Sequence, residues 1–191
     1  MPRDTSRLDM SVDFQPVNIA VLTISDTRTP DDDRSGDLLA ERIAKDGHVL
    51  ASRMIVTDDV DWITAQLQDW IVDPQIDVVV TTGGTGLTGR DSTPEAFDRT
   101  IEKAIPGFGE LFRQLSYEKI GTSTIQSRAV AGVAGGTYLF ALPGSPSGCR
   151  DGWDDILRYQ LDIRHRPCNF VEIMPRLTES VSRRRTSPVN A

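Results

Sequence analysis

The chain has 191 residues, 38% of them hydrophobic and 26% charged, which is the composition of an ordinary soluble domain with a sizeable core. A formal charge of −7 argues against broad nucleic-acid binding, and no apolar run reaches the roughly 18 residues that a membrane helix needs. Only two cysteines occur, and no apolar stretch follows the basic N-terminal residues, so we expect a cytoplasmic protein without a secretory signal.

The first half of the chain alternates between apolar, β-branched runs and amphipathic stretches, a pattern typical of parallel strands joined by helices. Residues 1–15 are polar and irregular, so we expect a flexible arm there. Strands are predicted at Val17–Ser25, Val49–Thr57 and Asp77–Thr82. One helix is predicted from an N-cap at Ser35 to Gly47, and another after an N-cap at Asp58 or Asp59.

The second half contains helices and a predicted hairpin. Thr93-Pro94 is typical of an N-cap followed by proline, and the helix it opens would turn Phe97, Ile101 and Ala104 inward. Gly107 interrupts that pattern before a second helical stripe that contains Phe108, Leu111, Phe112 and Leu115. The runs Arg128–Ala134 and Thr137–Leu142 flank Gly135-Gly136, a two-residue hairpin signal, and a last helix is predicted from Cys149 to Tyr159.

These elements predict an α/β fold, with a mostly parallel sheet between helical layers and an antiparallel hairpin arm. We expect one domain over residues 16–177 and a flexible tail over residues 178–191. Three unusual loops leave strand ends, at Ser25-Asp26, Thr82–Asp91 and Leu142–Gly148. Ligands of open α/β sheets bind beyond the carboxyl ends of the strands, so we expect these loops to form one site.

The loop TTGGTGLTGRDSTPE, residues 81–95, resembles two nucleotide motifs without matching either. Gly84-x-Gly86-x-x-Gly89 has dinucleotide spacing, but the helix signal at Thr93-Pro94 comes well after the glycines, which excludes that motif. A P-loop is excluded as well, because Arg90-Asp91 replaces the lysine and hydroxyl residue.

What this loop offers is backbone amides, a cation and a carboxylate. Gly83, Gly84 and Gly86 allow a nest of N–H groups around an anion. Arg90 could neutralise a phosphate, and Asp91 could hold magnesium together with substrate oxygens. The competing interpretation is a tight turn in which the carboxylate bonds the loop backbone. Asp58, after the second strand, is expected at the same edge, with helix capping as its alternative role.

Four segments together resemble a known family: TTGGTGLTGRDSTPEA (81–96), GFGELFRQLSYEKIGTSTIQSRAVAGVA (107–134), FALPGSP (140–146) and LDIRHRPCNF (161–170). They are similar to the MoaB/MogA family of molybdenum cofactor biosynthesis proteins, and most similar to its bacterial MoaB branch. The resemblance runs from about Val17 to Phe170.

The resemblance implies a compact α/β domain assembled as homotrimers or homohexamers, with the pterin molybdopterin as ligand. In active members, the terminal phosphate of molybdopterin attacks the α-phosphorus of Mg-ATP, and pyrophosphate leaves. The alternative is a non-catalytic protein of the same pathway that binds or carries the pterin.

Carried over residue by residue, the resemblance implies that Asp58 and Asp91 are catalytic and bind Mg²⁺, with Asp59 as an alternative match to Asp58. Further residues match the phosphate-binding and substrate-binding loops. They are Ser25, Asp26, Thr82, Gly83, Gly84, Thr85, Gly86, Arg90, Pro143, Gly144 and Ser145. Ser123, Ser127 and Arg128 look like additional pocket residues, although a polar helix face is an equal explanation for them.

Overall fold

The computed structural model describes residues 7–179 and contains a six-stranded mixed sheet of strand order β2-β1-β3-β6-β5-β4. The strands are β1 (Asn18–Ile24), β2 (Val49–Val56), β3 (Val78–Thr82), β4 (Lys103–Ala104), β5 (Val130–Ala134) and β6 (Thr137–Leu142). β2, β1, β3 and β6 are mutually parallel, whereas β5 runs antiparallel to β6 and β4. The predicted mixed sheet with an antiparallel hairpin arm is confirmed.

Helices cover both faces of this sheet. The longer ones are α1 (Arg34–Lys45), α2 (Val60–Ile71), α3 (Thr93–Thr100) and α4 (Pro106–Ile120), the last continuing into a 3₁₀ segment at Gly121–Gln126. The shorter ones are α5 (Pro146–Gly152), a π-helical turn at Trp153–Leu157, α6 (Arg158–Gln160), α7 (Phe170–Ile173) and a 3₁₀ turn at Met174–Arg176.

Two hydrophobic cores make the structure three-layered. Alternate residues of the buried strands point to opposite faces. On one face, Val21 and Phe140 pack in a cluster with side chains of α1, α4 and the segment after β6. On the other, Leu22 and Leu139 pack with side chains of α2 and α3. The near-continuous apolar runs that predicted parallel strands are explained by this burial on both faces.

The helix predicted to include Ile101 and Ala104 ends earlier in the structure, at Thr100, and is followed by the short strand β4. Ala104 does not point inward from a helix: it is exposed and lies in β4, and Ile101 is already extended. The amides of Glu102 and Ile105 donate to Val133 and Ala131 of β5, so pairing at the sheet edge overrides the helical period of the sequence. Gly107 does not break a helix either, because it lies inside α4.

Helix starts differ from the predicted positions by one to three residues. α1 is capped by Asp33, whose side chain accepts from the Gly36 amide, and Ser35 lies inside the helix. α3 begins at Thr93 with Ser92 as its N-cap residue. The last long segment begins at Pro146, before the predicted Cys149, because the Ser145 hydroxyl accepts from the Gly148 amide. At α1 and α5, the hydrogen bond from a polar side chain fixes the boundary, whereas Ser92 makes no capping bond with its side chain.

Part of the predicted N-terminal arm packs on the fold. Leu8 forms an isolated antiparallel bridge with His165, and the Asp9 amide donates to Arg164 O at 2.8 Å. Phe14 lies 5.2 Å from the His48 ring, centroid to centroid. Of the residues predicted to be flexible, 1–6 and 180–191 lie outside the described part of the chain.

Asp33 is a buried carboxylate that joins three elements. It is 0% exposed and accepts hydrogen bonds from Thr23 Oγ1 at 2.7 Å, Arg53 Nη2 at 2.8 Å and the Gly36 amide at 3.0 Å. Burial opposes its ionisation, but the bonds from Arg53, Thr23 and Gly36 outweigh burial and lower its pKa. Asp33 therefore links β1, β2 and the start of α1.

We expect Asp33→Asn to lower the free energy of unfolding by about 3 kcal/mol at pH 7, because Arg53 loses its buried partner. Asp37→Asn is the matched control, since Asp37 binds the same Arg53 from a side chain that is 60% exposed. It should cost less than about 1 kcal/mol. Urea unfolding measures both values.

The Asp33 effect should also depend on pH. Its folded pKa lies below the unfolded value, so its contribution is complete above the unfolded pKa and is lost as the pH falls through the folded one. Equal losses for the two variants, or a loss that does not shrink in acid, would contradict the assigned role of Asp33.

Candidate functional site

The carboxyl ends of β1, β3 and β6 surround a cavity of ≈ 550 Å³. After β1 the chain crosses to β2 on one side of the sheet, and after β3 it continues to β4, β5 and β6 on the other side. The cavity therefore lies at the switch point where open α/β sheets bind ligands. Most of the predicted site residues line this main cavity: Ser25, Thr82, Gly83, Gly84, Thr85, Gly86, Asp91, Ser127, Pro143, Gly144 and Ser145. The three predicted loops thus meet at one edge.

The glycine loop has a backbone that requires glycine. Gly83 and Gly84 have φ values of 108° and 65°, in the region that side chains disfavour. A Cβ on Gly83 would lie 2.2 Å from the carbonyl oxygen of Ile24. The Gly83 amide donates to Leu142 O, whereas the amides of Gly84 and Thr85 find no acceptor within residues 7–179. These two amides are available to an anion in the cavity.

Asp91 closes the loop on itself. Its Oδ2 accepts from the Thr88 amide at 2.8 Å and from the Thr88 hydroxyl at 2.7 Å. Partial burial opposes ionisation of Asp91, but these hydrogen bonds outweigh it and lower its pKa. Asp91 is therefore an ionised carboxylate on the cavity wall that also forms the turn, as the competing interpretation expected.

Asp58 differs from its neighbour Asp59. Asp59 is the N-cap of α2, where Oδ1 accepts from the amides of Asp61 and Trp62. Asp58 does not cap the helix, and its buried Oδ1 has no hydrogen-bond partner in the described chain. That oxygen lies against the glycine loop, 2.8 Å from where a Cβ on Gly84 would be.

The charges around Asp58 disfavour its ionised form. Burial is the main reason that its pKa is raised, followed by the negative charges of Asp26 and Asp91, while Arg90 partly opposes the shift. Asp26 also accepts a hydrogen bond from the Asp58 amide at 3.1 Å. An unpartnered carboxylate oxygen near two further acids is a site that a cation would stabilise.

Arg90 lies outside the cavity wall. Its guanidinium pairs with Asp26, to which Nε donates at 2.8 Å, and its side chain is 68% exposed. The ion pair lowers the pKa of Asp26, chiefly through the hydrogen bond from Arg90. In this geometry, Arg90 neutralises Asp26 rather than a group inside the cavity.

Arg128 binds the backbone of the glycine loop through three hydrogen bonds. Its Nε donates to Gly86 O at 2.7 Å, its Nη2 donates to Asp91 O at 2.8 Å, and it pairs with Glu95. Its backbone amide donates to Thr85 O at 2.9 Å. Arg128 is therefore placed to fix the loop rather than to face the cavity.

Ser123 is separated from the main cavity. It lines a second cavity of ≈ 490 Å³ between α4, the 3₁₀ segment after it and the start of α5. Ser127, Pro143 and Ser145 belong to the walls of both cavities, so the two adjoin each other.

Three polar residues that line the main cavity were not predicted: Thr27, Arg28 and Gln126. Arg28 lies in the acidic loop after β1, where its Nη2 donates to Gly144 O at 2.8 Å. The sequence carries no signal for this contact, because the two residues are far apart along the chain.

The buried thiol of Cys149 adjoins the site without facing it. Its Sγ lies 3.0 Å from Thr82 Oγ1 and donates to Pro143 O at 3.3 Å. Burial raises its pKa to about 11. At neutral pH, it is a protonated packing group, not a nucleophile.

Residues 20–163 match the family model described as a probable molybdopterin binding domain. The chain belongs to this family. The molybdenum cofactor biosynthesis protein B of Escherichia coli K12 is 48% identical over 161 residues, which cover 84% of this chain and 95% of that protein. This similarity agrees with the predicted resemblance to the MoaB branch, and it places the chain in molybdenum cofactor biosynthesis.

Solved structures agree with this assignment. A crystal structure of molybdenum cofactor biosynthesis protein B has a TM-score of 0.74 at 36% identity, covering 88% of this chain and 98% of that one. The tungsten cofactor synthesizing protein MoaB from Pyrococcus furiosus has a TM-score of 0.67 at 37% identity, with coverages of 75% and 91%. The expected MoaB/MogA fold is confirmed.

Residues 7–179 contain neither a membrane-spanning helix nor a ready-made cluster of metal ligands. No helix within residues 7–179 combines the length and the apolar character needed to cross a membrane. Nor does this part of the chain hold a cluster of three or more His, Cys, Asp or Glu side chains arranged as metal ligands.

We expect Gly83→Ala to lower the free energy of unfolding by at least about 1 kcal/mol, because alanine disfavours the positive φ and clashes with the Ile24 carbonyl. Gly89→Ala is the matched control, since no heavy atom lies within 4 Å of a Cβ there. Its effect should stay within about 0.5 kcal/mol. Equal denaturation midpoints for the two variants would be inconsistent with a strained turn at Gly83.

Proposed function

We propose that this protein is a molybdopterin adenylyltransferase. An oxygen of the terminal phosphate of molybdopterin attacks the α-phosphorus of ATP. The bond from that phosphorus to the bridging oxygen of the β-phosphate breaks, and pyrophosphate leaves with the electron pair. The observation that carries this proposal is the buried Oδ1 of Asp58 beside the glycine loop, which has no hydrogen-bond partner within residues 7–179.

The polar groups of the cavity suit this chemistry. Transfer between phosphates depends on placing two anions close together and neutralising their charge, and it needs no protein nucleophile. The free amides of Gly84 and Thr85 can donate to phosphate oxygens. The main cavity and the adjoining cavity that contains Ser123 give room for a ligand larger than a single phosphate.

Asp58 and Asp91 fit a magnesium ion that arrives with ATP. The orphaned Asp58 oxygen and the ionised Asp91 offer two carboxylates, the number that magnesium takes when phosphate oxygens and water supply its other ligands. When bound, the ion would neutralise phosphate charge and orient the reacting groups. The chain's own part is to hold the carboxylates in place, through the Thr88 bonds for Asp91 and the turn before α2 for Asp58.

We also propose that the domain spans residues 16–177, acts in the cytoplasm and assembles as a homotrimer or homohexamer. Exposed apolar side chains on α4 and the 3₁₀ segment after it support assembly through that side. Tyr117 is 59%, Ile120 57% and Ile125 80% exposed. Multi-angle light scattering distinguishes a monomer from three or six copies.

The decisive experiment mixes the protein with molybdopterin, ATP and magnesium, and follows pyrophosphate release and adenylylated pterin. We expect turnover by the wild-type protein. Asp58→Asn should lower the turnover rate roughly 100-fold or more while pterin still binds, because it removes charge stabilisation at the reacting phosphates.

Asp59→Asn is the matched control on the adjacent residue. Asparagine caps helices about as well as aspartate, so this variant should retain near wild-type turnover. Pterin binding without turnover by the wild-type protein would leave the non-catalytic carrier as the function. A large loss for Asp59→Asn with none for Asp58→Asn would exchange the roles assigned to the two residues.

A further inference from the structure

Arg28 is the one lysine or arginine that lines the main cavity in the described chain. Its guanidinium is held from two sides: Nη2 donates to Gly144 O at 2.8 Å, and Nη1 donates to Ser35 Oγ at 3.0 Å. The loop after β1, the start of α1 and the loop after β6 therefore fix the position of this cation. Its side chain nevertheless remains 28% exposed.

These contacts leave hydrogen-bonding capacity on Arg28. A guanidinium carries five N–H donors. Apart from the two bonds above, the one further contact of the Arg28 guanidinium within residues 7–179 is at 3.5 Å, from Nη1 to Asp33. At least two N–H groups, including Nε–H, therefore have no acceptor within residues 7–179.

Asp33 does not account for the charge of Arg28. Three closer donors already satisfy that carboxylate, among them Arg53 at 2.8 Å. The two short bonds of Arg28 go to neutral oxygen atoms, those of Ser35 and Gly144. Holding an arginine in place with neutral acceptors keeps its charge available to another anion.

Arg28 lies where two cavities adjoin. Ser25 and Arg28 line both the main cavity and another cavity of ≈ 580 Å³, which runs between the loop after β1 and the edge strand β2. On the side of the main cavity, the free amides of Gly84 and Thr85 add further donors. The cation therefore lies at the boundary between two spaces.

We propose that Arg28 binds a phosphate group of the substrate, with its free N–H groups donating to phosphate oxygens. This inference rests on the proposed function for the identity of the ligand. The phosphate is either the terminal group of the pterin or part of the polyphosphate of the nucleotide. Arg90, the cation that the sequence suggested, is instead paired with Asp26.

The test compares ligands with and without their phosphate groups. Isothermal titration would measure binding of molybdopterin and its dephosphorylated form, and of Mg-ATP and adenosine, to the wild-type protein and to Arg28→Gln. The substitution should weaken the phosphorylated member of at least one pair roughly 10-fold to 100-fold and leave its partner unchanged. The affected pair identifies the phosphate.

Arg34→Gln is the matched control, because it removes the same charge from an exposed residue of the first turn of α1. It should not change either pair. Arg28→Lys provides a second variant that keeps the charge but loses the planar fork, so it should bind phosphorylated ligand with intermediate affinity. Circular dichroism confirms that each variant is folded.

Equal weakening of both members of each pair would mean that Arg28 only supports the loops, and this would overturn the inference. Unchanged binding in both pairs, or wild-type protein that binds none of the four ligands, would overturn it too. These measurements need no adenylyl transfer. A protein that binds pterin phosphate through Arg28 without turnover would therefore contradict the proposed catalysis and still support this inference.

Discussion

Parallel pairing of β1, β3 and β6 is the constraint on which the site depends. The three strands are aligned so that Thr23, Thr82 and Leu142 lie side by side at the carboxyl edge. The loops that leave β1, β3 and β6 start from strands whose carboxyl ends are buried, so their first residues have little freedom. Loops that are far apart in sequence are thereby brought to one cavity, and none needs secondary structure of its own to be positioned.

Much of this arrangement could be predicted from the sequence, because it follows from local patterns. The parallel strands and the convergence of their loops follow from apolar runs and from the general behaviour of open sheets. The hairpin was signalled by Gly135-Gly136, whose positive φ values of 59° and 96° suit that turn. The two-residue strand β4 could not be predicted. Its formation depends on hydrogen bonds to β5, which lies about thirty residues further along the chain.

The chemistry of the site was harder to predict because neighbouring residues of one type have different environments. Asp58 and Asp59 look the same in a sequence pattern. Only the path of the chain decides that Asp59 caps α2, while Oδ1 of Asp58 has no hydrogen-bond partner in the described chain. Arg28 and Arg90 are likewise the same residue type, and each follows a strand. Arg28 bonds Gly144 and lines the cavity, whereas Arg90 forms an exposed ion pair with Asp26. Both contacts join segments that are far apart in sequence.

Arg128 has a consequence for the thermodynamics of ligand capture. Its bonds to the carbonyl oxygens of Gly86 and Asp91, together with its amide bond to Thr85, tie the glycine loop to the strand that begins at Val130. The conformational entropy of this loop is therefore lost during folding and not when a ligand arrives. Because the loop is already ordered, more of its interaction free energy with an anion contributes to affinity. The entropic cost of ordering the loop instead lowers the free energy of unfolding of the ligand-free protein, which is small in any case.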